Sequence, residues 1–199
     1  NRLTKASGNI FTGSGGGDVD YYSFTATAGD RVYAATMTAA SASGNVDSTL
    51  TLYGADGTTV IEEDLDDGSL GASSSSIAGA VIPADGTYFL RVVHPVATGT
   101  LRGYDLYVQL RNGAPVAEVE PNDTLGTANA NGTWIQGGVD PAENDDFHPI
   151  DLNAGDTVFL SLDLDPERDG GWKGKLGFGL FGDIPYQILL VDNPGTATA

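Results

Sequence analysis

Residues 22–25, 31–34, 49–53, 87–93 and 104–110 are short runs in which β-branched and aromatic residues alternate with small polar ones. An alternation of period two is that of a strand with one face buried and one face wet. In the last run Tyr104, Leu106, Val108 and Leu110 share one face, and Asp105, Tyr107 and Gln109 share the other. No window long enough for a helix carries a 3.6-residue period. Between the runs stand Ala28-Gly29-Asp30, Ala55-Asp56-Gly57, Ala84-Asp85-Gly86 and Phe181-Gly182-Asp183, residues that accept tight or left-handed backbone. The pattern predicts an all-β protein built as an antiparallel β-sandwich.

The chain also repeats itself. GNIFTGSGGGDVDYYSFTATAGDRVYAATM from Gly8 aligns with GTWIQGGVDPAENDDFHPIDLNAGDTVFLSLD from Gly132, with two extra residues before Asp146. Ala28-Gly29-Asp30 then falls on Ala154-Gly155-Asp156, and TLTLYG from Thr49 matches GFGLFG from Gly177. Such self-similarity predicts two tandem modules, 1–111 and 124–199, joined by an acidic linker, 112–123. The second ends after Tyr186-Gln187-Ile188-Leu189-Leu190-Val191, with no counterpart of GTYFLRV or YDLYVQL. It is expected to be truncated or atypical and to lean its apolar edge on the first repeat or on a partner. Residues 64–68 and 73–76 read as an acidic, then serine-rich, solvated excursion, and Gly13 to Gly17 as a flexible hairpin loop.

Composition narrows the function. In 199 residues there are 27 acidic against 9 basic side chains, a formal charge of -18, so binding to phosphate backbones or anionic lipid is disfavoured. Hydrophobic residues reach 40 %, enough for a buried core, which excludes disorder as the whole answer. The absence of cysteine removes disulfide scaffolds, thiolate metal sites and a Cys nucleophile. No stretch approaches the roughly 18 apolar residues of a membrane span, and the first residues lack a secretion-signal pattern, as expected of a mature or cropped chain.

Glu118-Val119-Glu120-Pro121-Asn122-Asp123 is the densest group of oxygen donors. Hard divalent cations take six to eight oxygens, and an extended segment presents Glu118, Glu120 and Asn122 on one side. Calcium is the natural candidate. Asp140, Glu143, Asn144, Asp145 and Asp146 precede a strand-like run and complete the shell if linker and loop meet; otherwise both are solvated acidic segments.

The combination of EPND, a loop ending in Asp-aromatic (DVDYYSF, ENDDFHPI), AGD, an LxLY/F-G strand-turn, PADGTYFLRV and a final YxLxV strand resembles the bacterial pre-peptidase C-terminal domain, and is similar to the collagen-binding domains of clostridial collagenases. The resemblance spans nearly all of the first repeat and the N-terminal two-thirds of the second. It implies non-catalytic, jelly-roll-like β-sandwiches appended to secreted or cell-surface bacterial proteins. It further implies calcium ligation by Glu118, Glu120, Asn122, Asp123 and Asp146, with Asp145 or Asn144, and a ligand platform of Tyr88, Tyr104 and Tyr107, although opposite parity lets at most one of Tyr104 and Tyr107 face out and core packing is the alternative for Tyr88 and Tyr104. In the first repeat the equivalent EPND would precede Asn1, so a site at Asp18 and Asp20 is expected to be empty or incomplete. His148-Pro149 departs from the family pattern and suggests an edge strand there.

Other chemistry has weaker support. His94 and His148 have no sequence-local partner and read as surface or loop residues; no G-x-S-x-G is present, and GSGGG is followed by neither Lys nor a helix. Paired carboxylates for glycoside hydrolysis lack an aromatic-lined subsite pattern. The sequence therefore points to a calcium-stabilised, extracellular or cell-surface binding module without enzymatic activity, nucleic-acid binding or membrane insertion. Its partners would be an extracellular protein or polysaccharide and the domains of its parent polypeptide. The alternatives are a structural spacer and a carboxylate-based hydrolase.

Overall fold

The computed structural model describes residues 3–13, 16–38, 41, 47–65, 73–128, 132–138, 145–156, 158–163, 176–178 and 187–189. The chain divides into two compact units. The first comprises Asn1–Asn112, Phe159–Gly179 and Pro185–Ala199; the second comprises Gly113–Val158 and Leu180–Ile184.

In the first unit the strands are β1 (Thr4–Ile10), β2 (Thr12–Gly13), β3 (Gly16–Gly17), β4 (Asp20–Ala26), β5 (Arg31–Met37), β6 (Thr49–Tyr53), β7 (Val60–Asp64), β8 (Ser76–Val81), β9 (Gly86–Val93) and β10 (Leu101–Arg111). Two four-stranded antiparallel sheets result, in the orders β1-β10-β5-β8 and β4-β9-β6-β7. The five runs read from the period-two pattern are all strands. Val32, Ala34, Ile77, Leu101 and Leu106 of the first sheet share one buried cluster with Leu50, Leu52, Tyr88, Leu90 and Val92 of the second, an arrangement consistent with a β-sandwich.

Strand β4 shows how sequence becomes layer: Tyr22 and Phe24 turn to the core while Tyr21, Ser23 and Thr25 stay exposed. Strand β5 is buried on both faces, because Tyr33 and Ala35 are covered as well as Val32 and Ala34. Opposite Ala35 lies Tyr107, whose ring is stacked on Phe159 at 6.1 Å, so chain from beyond the linker packs on this sheet. A close approach explains Gly8: a Cβ there would fall 2.4 Å from the Tyr104 hydroxyl oxygen.

The segment expected to be a solvated excursion is instead partly core. Asp64, Ser74 and Ser75 are 2 %, 1 % and 0 % exposed, and Asp64 accepts a hydrogen bond from the Ser76 amide. Thr36, Ser48 and Ser75 exchange hydroxyl hydrogen bonds at 2.8 and 3.2 Å, and the Ser75 amide donates to Thr36 Oγ1. Buried polar groups that are satisfied this way are compatible with a core. Residues 66–72 lie outside the described residues. His94 is buried too, with Val96 N–H donating to Nδ1 at 2.9 Å. At Gly13 to Gly17, β2 and β3 pair as a hairpin, its residues 14–15 outside the described set.

The second unit has little regular structure among its described residues. Strands β11 (Val116–Ala117) and β12 (Ile135–Gln136) pair in parallel. No strand occurs at 145–156, so the edge strand expected at His148-Pro149 is absent. The physical reason is partnership: in the first unit the aligned β4 hydrogen-bonds to β9, whereas no strand pairs with 145–156 among the described residues. Strands β13 (Leu176–Phe178) and β14 (Gln187–Leu189) form an antiparallel pair that belongs to the first unit.

The repeated Ala-Gly-Asp does fold the same way twice. Asp30 N–H donates to Thr27 carbonyl at 3.0 Å and its carboxylate accepts the Thr27 amide at 2.8 Å, with Gly29 at φ 85°. Asp156 repeats both bonds with Asn153 at 3.1 and 2.8 Å, with Gly155 at φ 94°.

Candidate metal centre

The parallel pair β11–β12 sets the position of Glu118. Val116 N–H donates to Trp134 carbonyl and Glu118 N–H to Gln136 carbonyl, both at 3.0 Å, which carries the Glu118 side chain over Gly137 and Gly138. The Gly138 amide donates to Glu118 Oε1. A Cβ on Gly137 would lie 2.1 Å from Glu118 Oε2, so a side chain there would displace the carboxylate.

Asn122 ties this segment to the loop at 145–148. It is fully buried. Its Nδ2 donates to Glu118 Oε2 at 3.2 Å, its amide donates to Glu120 Oε2 at 3.0 Å, and its carbonyl accepts the Phe147 amide at 3.0 Å. The Phe147 bond places the neighbouring Asp146 beside the linker, and oxygens of Glu118, Glu120 and Asp146 lie within 4.8 Å of one another. The Glu120–Pro121 peptide is cis.

The electrostatics are unfavourable to three bare carboxylates. Burial first, then the charges of Glu118 and Glu120, push the Asp146 carboxyl above its ordinary range; Asp123 adds to the rise and His148 opposes it. His148 Nε2 stands 3.8 Å from Glu118 Oε2. Three buried polar atoms here lack a hydrogen-bond partner: Asn122 Oδ1, Asp146 Oδ1 and His148 Nδ1. Desolvated acceptors without donors are costly, and a cation answers the orphaned oxygens and the crowded charge together. This acidic cluster can chelate a divalent cation.

Of the residues read from sequence, the structure brings together Glu118, Glu120, Asn122 and Asp146. Asp123 is exposed and acts on the cluster through its charge; Asp145 is exposed and outside it. Asp140, Glu143 and Asn144 lie outside the described residues. Gly137, Gly138 and His148 were not anticipated at the site. The glycine pair was visible in the sequence, but its role depends on which carboxylate lands on it.

In the first unit the aligned positions are occupied differently. Asp20 stands at the place of Asp146 and Tyr22 at that of His148. Asp20 Oδ2 accepts a 2.6 Å bond from the Tyr104 hydroxyl, which in turn lies 2.7 Å from the Tyr22 hydroxyl. Burial, reinforced by the bond to Asp20, holds the Tyr104 phenol far above its ordinary range, so it stays a neutral donor. Asp18 accepts the Phe11 and Val19 amides at 3.2 and 3.0 Å. Both carboxylates serve the fold.

The tyrosine platform requires correction. Tyr88 and Tyr104 are 1 % and 2 % exposed, because their strand parity points them into the core, and Tyr88 donates its hydroxyl to Ala84 carbonyl at 2.6 Å. Tyr107 is half-buried, with Phe159 stacked on its ring and Lys5 Nζ 5.7 Å from its centroid. The rings missed by the sequence reading are Tyr21, Tyr53 and Phe89, on the solvent side of the other sheet.

The chain has no cysteine, and His94 Nδ1 accepts the Val96 amide at 2.9 Å. Residues 18–94 match the family model of the bacterial pre-peptidase C-terminal domain. No curated protein gives a significant match. Among solved structures the chain is similar to PliG of Aeromonas hydrophila, a periplasmic lysozyme inhibitor of g-type lysozyme, at 15 % identity and a TM-score of 0.38, covering 55 % of this chain and 86 % of that one.

Proposed function

We propose that this chain is a calcium-stabilised, non-catalytic accessory module of a secreted or cell-surface bacterial protein, serving substrate targeting, adhesion or secretion. Residues 1–111 are one jelly-roll-like sandwich, and 124–199, after the acidic linker 112–123, derives from a second, atypical copy in tandem. The twice-formed Ala-Gly-Asp turn supports that common origin. Calcium is held by Glu118, Glu120, Asp146 and Asn122 Oδ1, with Asp123 and Asp145 contributing charge or outer oxygens. An all-oxygen donor set of carboxylates and an amide suits calcium, which accepts flexible geometry and many oxygens.

The observation that carries this reading is the fully buried Asn122, whose Oδ1 has no partner while three carboxylates crowd beside it. Calorimetric titration of the chelator-treated protein is expected to show saturable calcium binding and little response to magnesium, with protection of residues 113–128 from proteolysis. Absence of a calcium heat, together with unchanged proteolysis, would refute it.

A further inference from the structure

The solvent face of the sheet β4-β9-β6-β7 carries an aromatic group that neither the metal centre nor the core uses. Register places Tyr21 opposite Arg91 and Arg91 opposite Thr51; one pair along, Ser23 faces Phe89 and Phe89 faces Tyr53. Tyr21 and Tyr53 stand on strands separated by β9, yet their ring centroids approach to 6.4 Å at an interplanar angle of 41°. Tyr21 is 60 % exposed; Tyr53 and Phe89 are half-buried. Around the rings stand Arg91 and the exposed hydroxyls of Ser23, Thr25 and Thr87. Glu63, opposite Thr51, accepts the Thr51 hydroxyl at 2.7 Å.

We infer that this face binds a neutral polysaccharide. The inference rests on the reading of the chain as a binding module and supplies its ligand class. A pyranose ring has an apolar C–H face and a rim of hydroxyls; the first stacks on tyrosine rings, and the second pairs with guanidinium, hydroxyl and carboxylate groups. Backbone amides and carbonyls of β9 and β6, each paired on both sides, are engaged in the ladder, so recognition across this face falls to side chains, as a hydroxyl-rich ligand requires. Charge selects among glycans. Arg91 and Glu63 balance on the face, while the chain as a whole carries -18, which repels sulfated or uronic-acid polymers.

The test uses the full chain in affinity electrophoresis and pull-down against cellulose, xylan, chitin and β-1,3-glucan, with heparin and gelatin as the charged and peptidic probes, each with calcium and with chelator. The wild type is expected to be retained by at least one neutral glycan and not by heparin. Tyr21→Ala and Arg91→Gln are each expected to weaken that retention by about tenfold or more, with melting unchanged. Retention that persists in chelator while calcium titration fails would overturn only the metal reading. No retention on any neutral glycan, equal retention of wild type and Tyr21→Ala, or Tyr21-dependent retention on gelatin alone would overturn the glycan assignment and leave the calcium result standing.

Discussion

Replacing Asp146 by Asn should have opposite effects on stability with and without calcium. The side chain keeps its shape and loses its charge, which removes the repulsion from Glu118 and Glu120, whose oxygens lie within 4.8 Å. At the dielectric of water each such pair costs about 0.9 kcal/mol, so the substitution relieves roughly 1–2 kcal/mol after allowing for screening at the exposed Glu120. The sign of the pH effect agrees. A carboxyl held above its ordinary range binds its proton more tightly when folded, so stability falls as pH rises through that range and stays lower once the folded group has ionised. Asp146→Asn should flatten that fall. With calcium at a hundredfold excess over its Kd the wild type gains about 2.7 kcal/mol, and the variant, short of one carboxylate ligand, gains much less. Hydrogen exchange over residues 113–158 reads both states. The variant should exchange more slowly than wild type in chelator and faster in calcium. If Asp146→Asn destabilises in chelator, or if calcium slows exchange equally in both proteins, the cluster is not a metal centre.

Tyr104→Phe deletes the donor that holds Asp20 at 2.6 Å and the contact to Tyr22, and should cost about 1–3 kcal/mol in urea unfolding, with Tyr22→Phe costing less. Leu52, fully buried between the sheets, should cost about 2–5 kcal/mol as Leu52→Ala by the same assay. Asp30 is held below the ordinary carboxylate range, first by the Thr27 amide and then by Asn112. Its contribution is therefore present at neutral pH and lost as pH falls through and below that range, and a melting series in acid should show a limb that Asp30→Asn removes. A flat acid profile for wild type would contradict this assignment.

Three strands of the two four-stranded sheets escaped the sequence reading, each for its own reason. The pattern in β1 is obscured by Gly8 and by the register shift at Gly8/Asn9. Acids fill β7, with Glu62 and Asp64 at inward-facing register positions, so hydrophobic alternation cannot announce it. The serines around β8 look solvated in sequence because their hydrogen-bond partners, Thr36 and Ser48, are distant in the chain. The metal centre divides similarly. Glu118, Glu120 and Asn122 were legible from local density, whereas the seat of Glu118 on Gly137–Gly138 and the bond from Phe147 to Asn122 arise between separate segments.

The tyrosines mark the boundary most clearly. From sequence alone, alternation determined which residues share a face: Tyr104 with Leu106, Tyr107 with Asp105, and Tyr22 apart from Tyr21. Which of two faces meets the opposing sheet and which meets water was decided only when the strands paired, because a period of two is symmetric between its faces. Local backbone chemistry also determined the Ala-Gly-Asp turns wherever they occur. Tertiary contact alone decided that Asp20 bonds a tyrosine while its counterpart Asp146 sits among carboxylates, since a charge takes its role from the groups that desolvate it and those that answer it.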